Sequence, residues 1–106
     1  MERTVTLREI DRGPDHFALW ATLAEGGDLL IEGQDLGPGT APVSSDGEYE
    51  YSYLIAADKL PSLCEVVGLP AGGDLVEHLA AEFSGEASWR LEDIIRSSGL
   101  AELTVI

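Results

Sequence analysis

Cys64, His16 and His78 are the first residues to weigh for chemistry, since the 106-residue chain holds one cysteine and two histidines. Nucleophilic catalysis needs a nucleophile beside a base that a third group orients. Cys64 falls on an apolar stripe with Leu60, Leu63 and Val67, which reads as a buried core thiol. His78 sits beside Leu79 on a different predicted helix and His16 sits in a predicted strand, so local spacing brings neither to Cys64. The chain has no serine nucleophile elbow, P-loop, dinucleotide-binding glycine pattern or zincin histidine pair. Carboxylates are abundant, and Glu32 with Glu48 or Glu50 is the set that strand parity places on neighbouring surfaces. Its plainer reading is the wet face of a sheet. The segment "SSDGE" supplies too few oxygens for calcium, and a single cysteine leaves neither an intrachain disulfide nor a thiolate cluster for zinc. No metal, cofactor or catalytic residue is expected, and an enzyme is not supported.

Twenty Asp and Glu against six Lys and Arg give a formal charge of −14. Direct binding to nucleic acid or to an anionic membrane surface needs a basic patch, which this balance argues against. A basic protein partner would be drawn in by the same field. The competing reading is solvation alone: the chain has no Asn and a single Lys, a biased composition, and its acids are spread throughout. No apolar run approaches the roughly 20 residues needed to cross a bilayer, and "MERTVTLREI" lacks the basic-then-apolar order of a signal peptide. The sequence reads as one cytoplasmic domain over residues 1–106.

The elements that must position these residues change character near Ala57. In "TVTLREI", period-two alternation puts Val5 and Leu7 on one side and Thr4, Thr6 and Arg8 on the other. "HFALWATLA" puts Phe17, Leu19, Ala21 and Leu23 opposite His16, Trp20 and Thr22. "EGGD", Glu25–Asp28, closes a hairpin onto "LLIEGQDL". A loop follows from Gly37 to Asp46. "EYEYSYLI" then sets Tyr49, Tyr51, Tyr53 and Ile55 against Glu48, Glu50 and Ser52. Beyond Ala57 the period becomes helical. Asp58 is the expected first N-cap, Asp74 opens a second helix offering Leu75, Leu79 and Phe83, and a third offers Ala87, Leu91, Ile94 and Ile95 before Gly99. "ELTVI" is a candidate last strand. The expected fold is α+β, an antiparallel sheet of about four strands followed by three helices packed on one face. The tyrosine row lies under the helices and the other face is open.

"LLIEGQDLG", then "EYEYSYLIAADKLPSLCEVVGL" and "DLVEHLAAEF", resembles small acidic bacterial proteins of unknown or toxin-immunity type. The resemblance implies a non-enzymatic module that binds a basic protein. It transfers no residue roles. The candidate contact residues are Trp20, Glu32, Gln34, Asp35, Glu48 and Glu50, with the Gly37–Asp46 loop as a further surface. A homodimer or structural protein closed through Trp20 and a tyrosine surface is the alternative.

Overall fold

The computed structural model describes residues 2–37, 48–70 and 73–105. Strands β1 (Arg3–Arg12), β2 (Asp15–Leu23), β3 (Leu29–Leu36) and β4 (Glu48–Ile55) come first. A single 3₁₀ turn (Ala57–Lys59) leads into α1 (Leu60–Val67), α2 (Leu75–Glu82) and α3 (Ala87–Ser98), and β5 (Glu102–Val105) ends the order. The sheet has five strands in the order β1-β2-β3-β4-β5, every pair antiparallel. The sheet is one strand wider than the expected four, because "ELTV" does pair with β4.

Alternation is kept wherever the strands pair without interruption. Leu19, Ala21, Leu29, Ile31, Tyr51, Tyr53 and Ile55 are buried on the helix-covered face, with Val5, Leu23 and Tyr49 packed around them. Turn chemistry sets the β2–β3 register: Gly27 adopts φ +96°, and its N–H donates to the Ala24 carbonyl. The helices close the core with Leu63, Cys64, Val76, Leu79, Phe83, Leu91 and Ile95. Cys64 is thus a core thiol, as its stripe implied. The Asp74 side chain caps α2 by accepting from the Glu77 N–H. Asp58 does not cap α1. It lies inside the 3₁₀ turn, and Lys59 occupies the cap position with no side-chain bond.

Strand β1 departs from its expected pattern. Its register with β2 slips between Thr6 and Arg8, so Thr6 faces Trp20 and Arg8 faces Leu19, leaving Leu7 as the extra residue of a β-bulge. The bulge shifts the phase of everything after it. Leu7 and Arg8 are both buried, at 1% exposure each. Arg8 was expected opposite Val5 and Leu7; the inserted residue instead turns its guanidinium into the core.

Candidate functional site

Two regions carry the polar chemistry, one on each face of the sheet. Under the helices, Arg8 is held on all sides. Its Nε donates to Ser88 Oγ at 2.7 Å, Nη2 donates to Glu92 Oε2 at 2.5 Å, and Nη1 reaches Tyr51 Oη at 3.4 Å. Its guanidinium also lies 4.1 Å from the centroid of the Trp89 ring, and Arg12 stacks on the same ring at 4.9 Å. The second Glu92 oxygen accepts from Tyr53 Oη at 3.0 Å, and Tyr53 Oη accepts from Arg96 Nη1 at 3.1 Å. Arg96 is neutralised one turn back by Asp93. Ser88 and Glu92 face inward because α3 presents positions 88, 91, 92 and 95 to the sheet.

This network explains the tyrosine row. Tyr51 and Tyr53 are core residues whose hydroxyls close a buried ionic cluster, not a surface offered to a partner. Burial and the Glu92 charge push the Tyr53 phenol up to about 12, and the same causes, joined by Asp35, raise Tyr51 further. Tyr51 also rests directly on Gly33, its cross-strand partner. A Cβ at Gly33 would stand 2.2 Å from Tyr51 Cζ, so only glycine fits there.

Asp35 belongs to this covered face as well. It pairs with Tyr49 in register and shares the side of Ile31 and Gly33, away from the other candidate contact residues. It helps line a cavity of about 210 Å³ at the sheet rim beside α3, together with Tyr49, Tyr51, Tyr53, Trp89, Glu92, Arg96 and Leu103. Its Oδ1 is buried and has no hydrogen-bond partner among the described residues. Burial raises its pKa, against the pull of Arg8 and with the help of Glu92.

The opposite face carries a different pattern. Register places Glu9, Asp11, His16, Trp20, Glu32, Gln34, Glu48, Glu50 and Glu102 there together. Asp11 and His16 Nδ1 lie 2.6 Å apart. Gln34 Nε2 donates to Glu50 at 3.2 Å and to Glu48 at 3.3 Å, holding the two glutamates side by side. Trp20, half-buried, borders a shallow depression of about 200 Å³ with Glu32, Gln34 and Glu50. Five of the six contact candidates are therefore brought onto one surface, and Asp35 is not. The Gly37–Asp46 loop candidate lies, apart from Gly37 itself, outside the described residues.

Cations are distributed oppositely. Of the six Lys and Arg, Arg3, Arg8 and Arg12 project from β1 toward the helices, Lys59 ends the 3₁₀ turn, and Arg90 and Arg96 ride on α3. Arg3 bridges to Asp74 and Glu77 of α2, and Arg12 to Glu86 beside α3. None of the six stands on the open face of a strand.

A wider depression of about 390 Å³ lies between α1 and α3, lined by Val66, Asp93, Ile94, Ser97 and Ser98. Its one carboxylate, Asp93, is engaged by Arg96, so it gathers no convergent chemistry. Among the described residues, no three His, Cys, Asp or Glu side chains stand close enough to hold a metal ion. Likewise, no described helix is long and apolar enough to cross a membrane. No known family model matches the chain, and neither a curated protein nor a solved structure shows significant similarity to it.

Proposed function

We propose that this protein is a non-enzymatic binding module of the cytoplasm that captures a basic protein partner on the open face of its sheet, in the manner of a toxin-immunity inhibitor. The observation that carries this reading is the segregation of charge. The open face gathers Glu9, Asp11, Glu32, Glu48, Glu50 and Glu102 around Trp20, and no Lys or Arg of the chain interrupts it. A surface serving solvation alone has no reason to exclude cations from one side. Trp20 supplies an amphipathic anchor, and Gln34 orders the adjacent glutamates, so that part of the side-chain ordering is done before contact. A single-sign field of this kind accelerates encounter and makes association sensitive to salt.

The test is capture on the immobilised full chain from its native host in low salt, eluted by rising salt, followed by kinetics with the recovered partner. One basic protein in near-equal amount, with association slowed at least tenfold by the joint Glu48→Lys and Glu50→Lys substitutions, supports the reading. An unchanged association rate removes the open face from it.

Self-association is the second reading, favoured by the free edge of β5. Leu103 and Val105 are 49% and 56% exposed there on one side of the sheet, and Leu54 of the neighbouring β4 is 40% exposed on the other. A light-scattering mass equal to one chain at millimolar concentration counts against it.

A further inference from the structure

The open face is not uniformly acidic. Across the strands it has two charged borders and a different centre. The register slip at Leu7 turns Glu9 and Asp11 of β1 outward, opposite Ala18 and His16 of β2. On the other side Glu50 and Glu48 of β4 stand opposite Gln34 and Leu36 of β3, and Gln34 holds the two glutamates together. The acids thus form two rails, with β2 and β3 between them. Three strand spacings separate the rails, about 14 Å.

The floor between the rails is low and largely apolar. Ala18 is buried, and Trp20, Leu30 and Leu36 are half-buried although no described strand or helix covers them. Past the rails the apolar surface widens. Thr22, Leu30 and Leu54 stand in one cross-strand row, diagonal to Trp20, and Leu54 is 40% exposed. An apolar patch on a wet face, rimmed by charge, is the mark of a contact surface. Glu32 is the one acid on this floor. It stands opposite Trp20 and helps line the depression of about 200 Å³ that reaches down to Gly33.

These dimensions select an occupant. A helix with its side chains is about 10–12 Å across, so one laid along β2 and β3 sets a flank over each rail. Successive residues on one face of a strand lie about 6.8 Å apart, close to the roughly 6 Å between residues i and i+4 of a helix. Two cations on each flank therefore meet the two acids of each rail. The floor from Leu30 to Leu36 is three such steps, about 20 Å, the length of about 13 helical residues.

We infer that the open face receives a single amphipathic α-helix of the partner, apolar along its contact stripe and cationic on both flanks. In heptad terms it carries apolar residues at a and d, and Lys or Arg at e and g. This rests on the reading of the open face as the docking surface for a basic protein, and adds the form of the element that docks.

The probe is a capped peptide of two heptads with Leu at a and d, Lys at e and g and Ala elsewhere. It is titrated into the isotope-labelled full chain at about 0.15 M salt, where distant charges are screened, and followed by amide NMR. An isomer with its Lys moved to b and c points them away from the sheet, and a third peptide with Pro at both f positions cannot form the helix. Saturable shifts at His16, Trp20, Gln34 and Leu54 are expected with the first peptide, and binding at least about tenfold weaker with the other two. Glu9→Lys and Glu50→Lys, one in each rail, should each weaken the first peptide several-fold, and so should Leu54→Glu. Glu65→Lys, the same change of charge on exposed α1, should leave binding within about twofold. Equal binding by either control peptide, binding untouched by Glu9→Lys, or no saturable shift with the first peptide overturns the helix as occupant. Each of these outcomes leaves the capture of a basic protein to its own test, which fails only when Glu48→Lys with Glu50→Lys leaves that association unchanged.

Discussion

The two faces of the sheet treat charge in opposite ways. Beneath the helices every arginine of β1 has a carboxylate partner, and the most buried, Arg8, spends each side of its guanidinium on a named acceptor or ring. On the open face carboxylates stand beside one another with Gln34 and His16 as their neighbours. The difference follows from solvent. A charge inside the core must find its counter-charge in the chain, because the low dielectric magnifies an unpaired one, while a carboxylate in water needs none. Acidic residues can therefore be gathered on the wet face without threatening the fold.

The sharpest way to break this contrast is Glu92→Gln. It leaves Arg8 charged and buried, and should cost about 3–5 kcal/mol in denaturant unfolding. The double change Arg8→Met with Glu92→Leu should recover a large part of that loss, since it removes both charges at once. A loss below about 1 kcal/mol for Glu92→Gln would mean that the covered face does not depend on its ion pair. Gly33→Ala probes the same face through shape: it drives a methyl group into the Tyr51 ring, and a loss of about 1–3 kcal/mol in thermal unfolding is expected.

Smaller effects appear as pH dependence. The folded-state pKa of Asp35 lies above its ordinary 3.8, so through that window the folded chain binds more protons than the unfolded one. Stability must then fall as pH rises from 3.8 through the raised value, and the fall should be shallower in Asp35→Asn when unfolding is followed across that range. At the alkaline end, Tyr53 is raised from 10.0 to about 12, so its contribution is intact below pH 10 and is lost as pH climbs toward 12. Tyr53→Phe should flatten that decline in the same measurement. Least disturbing of all should be Glu48→Lys with Glu50→Lys, which changes the net charge by four units from −14 yet should shift unfolding by no more than about 0.5 kcal/mol. A large loss there would show that the open face takes part in holding the fold.

Much of the architecture is legible in period-two alternation and glycine punctuation. Leu19, Ala21, Leu29 and Ile31 fall under the helices by parity alone, and "EGGD" marks the β2–β3 hairpin. Five contact candidates share a face for the same reason. Parity also carries Asp35 to the tyrosine side, through Ile31 and Gly33, although its acidity suggests an outward role. The ionic cluster is a different matter. Glu92 follows Leu91 on α3 and looks like the polar border of an amphipathic stripe, and its partner is 84 residues away in sequence. Nothing local pairs them. Arg8 was hidden more deeply: "TVTL" alternates cleanly, and only the phase break at Glu9 and Ile10 hints at the register slip that pairing with β2 creates at Leu7.

That slip at Leu7 makes β1 asymmetric in what it tolerates. Replacing Leu7 by another apolar residue keeps the count of residues, and hence the direction in which Arg8, Ile10 and Arg12 point. Deleting it joins Thr6 to Arg8 opposite the consecutive residues Trp20 and Leu19, so the pairing becomes regular while Arg8, Ile10 and Arg12 keep their partners and their face, and only the buried Leu7 side chain is lost. For this segment the position of a one-residue gap decides its effect, because a gap at the bulge leaves the pairing of β1 with β2 unchanged on either side, and a gap elsewhere in the strand does not.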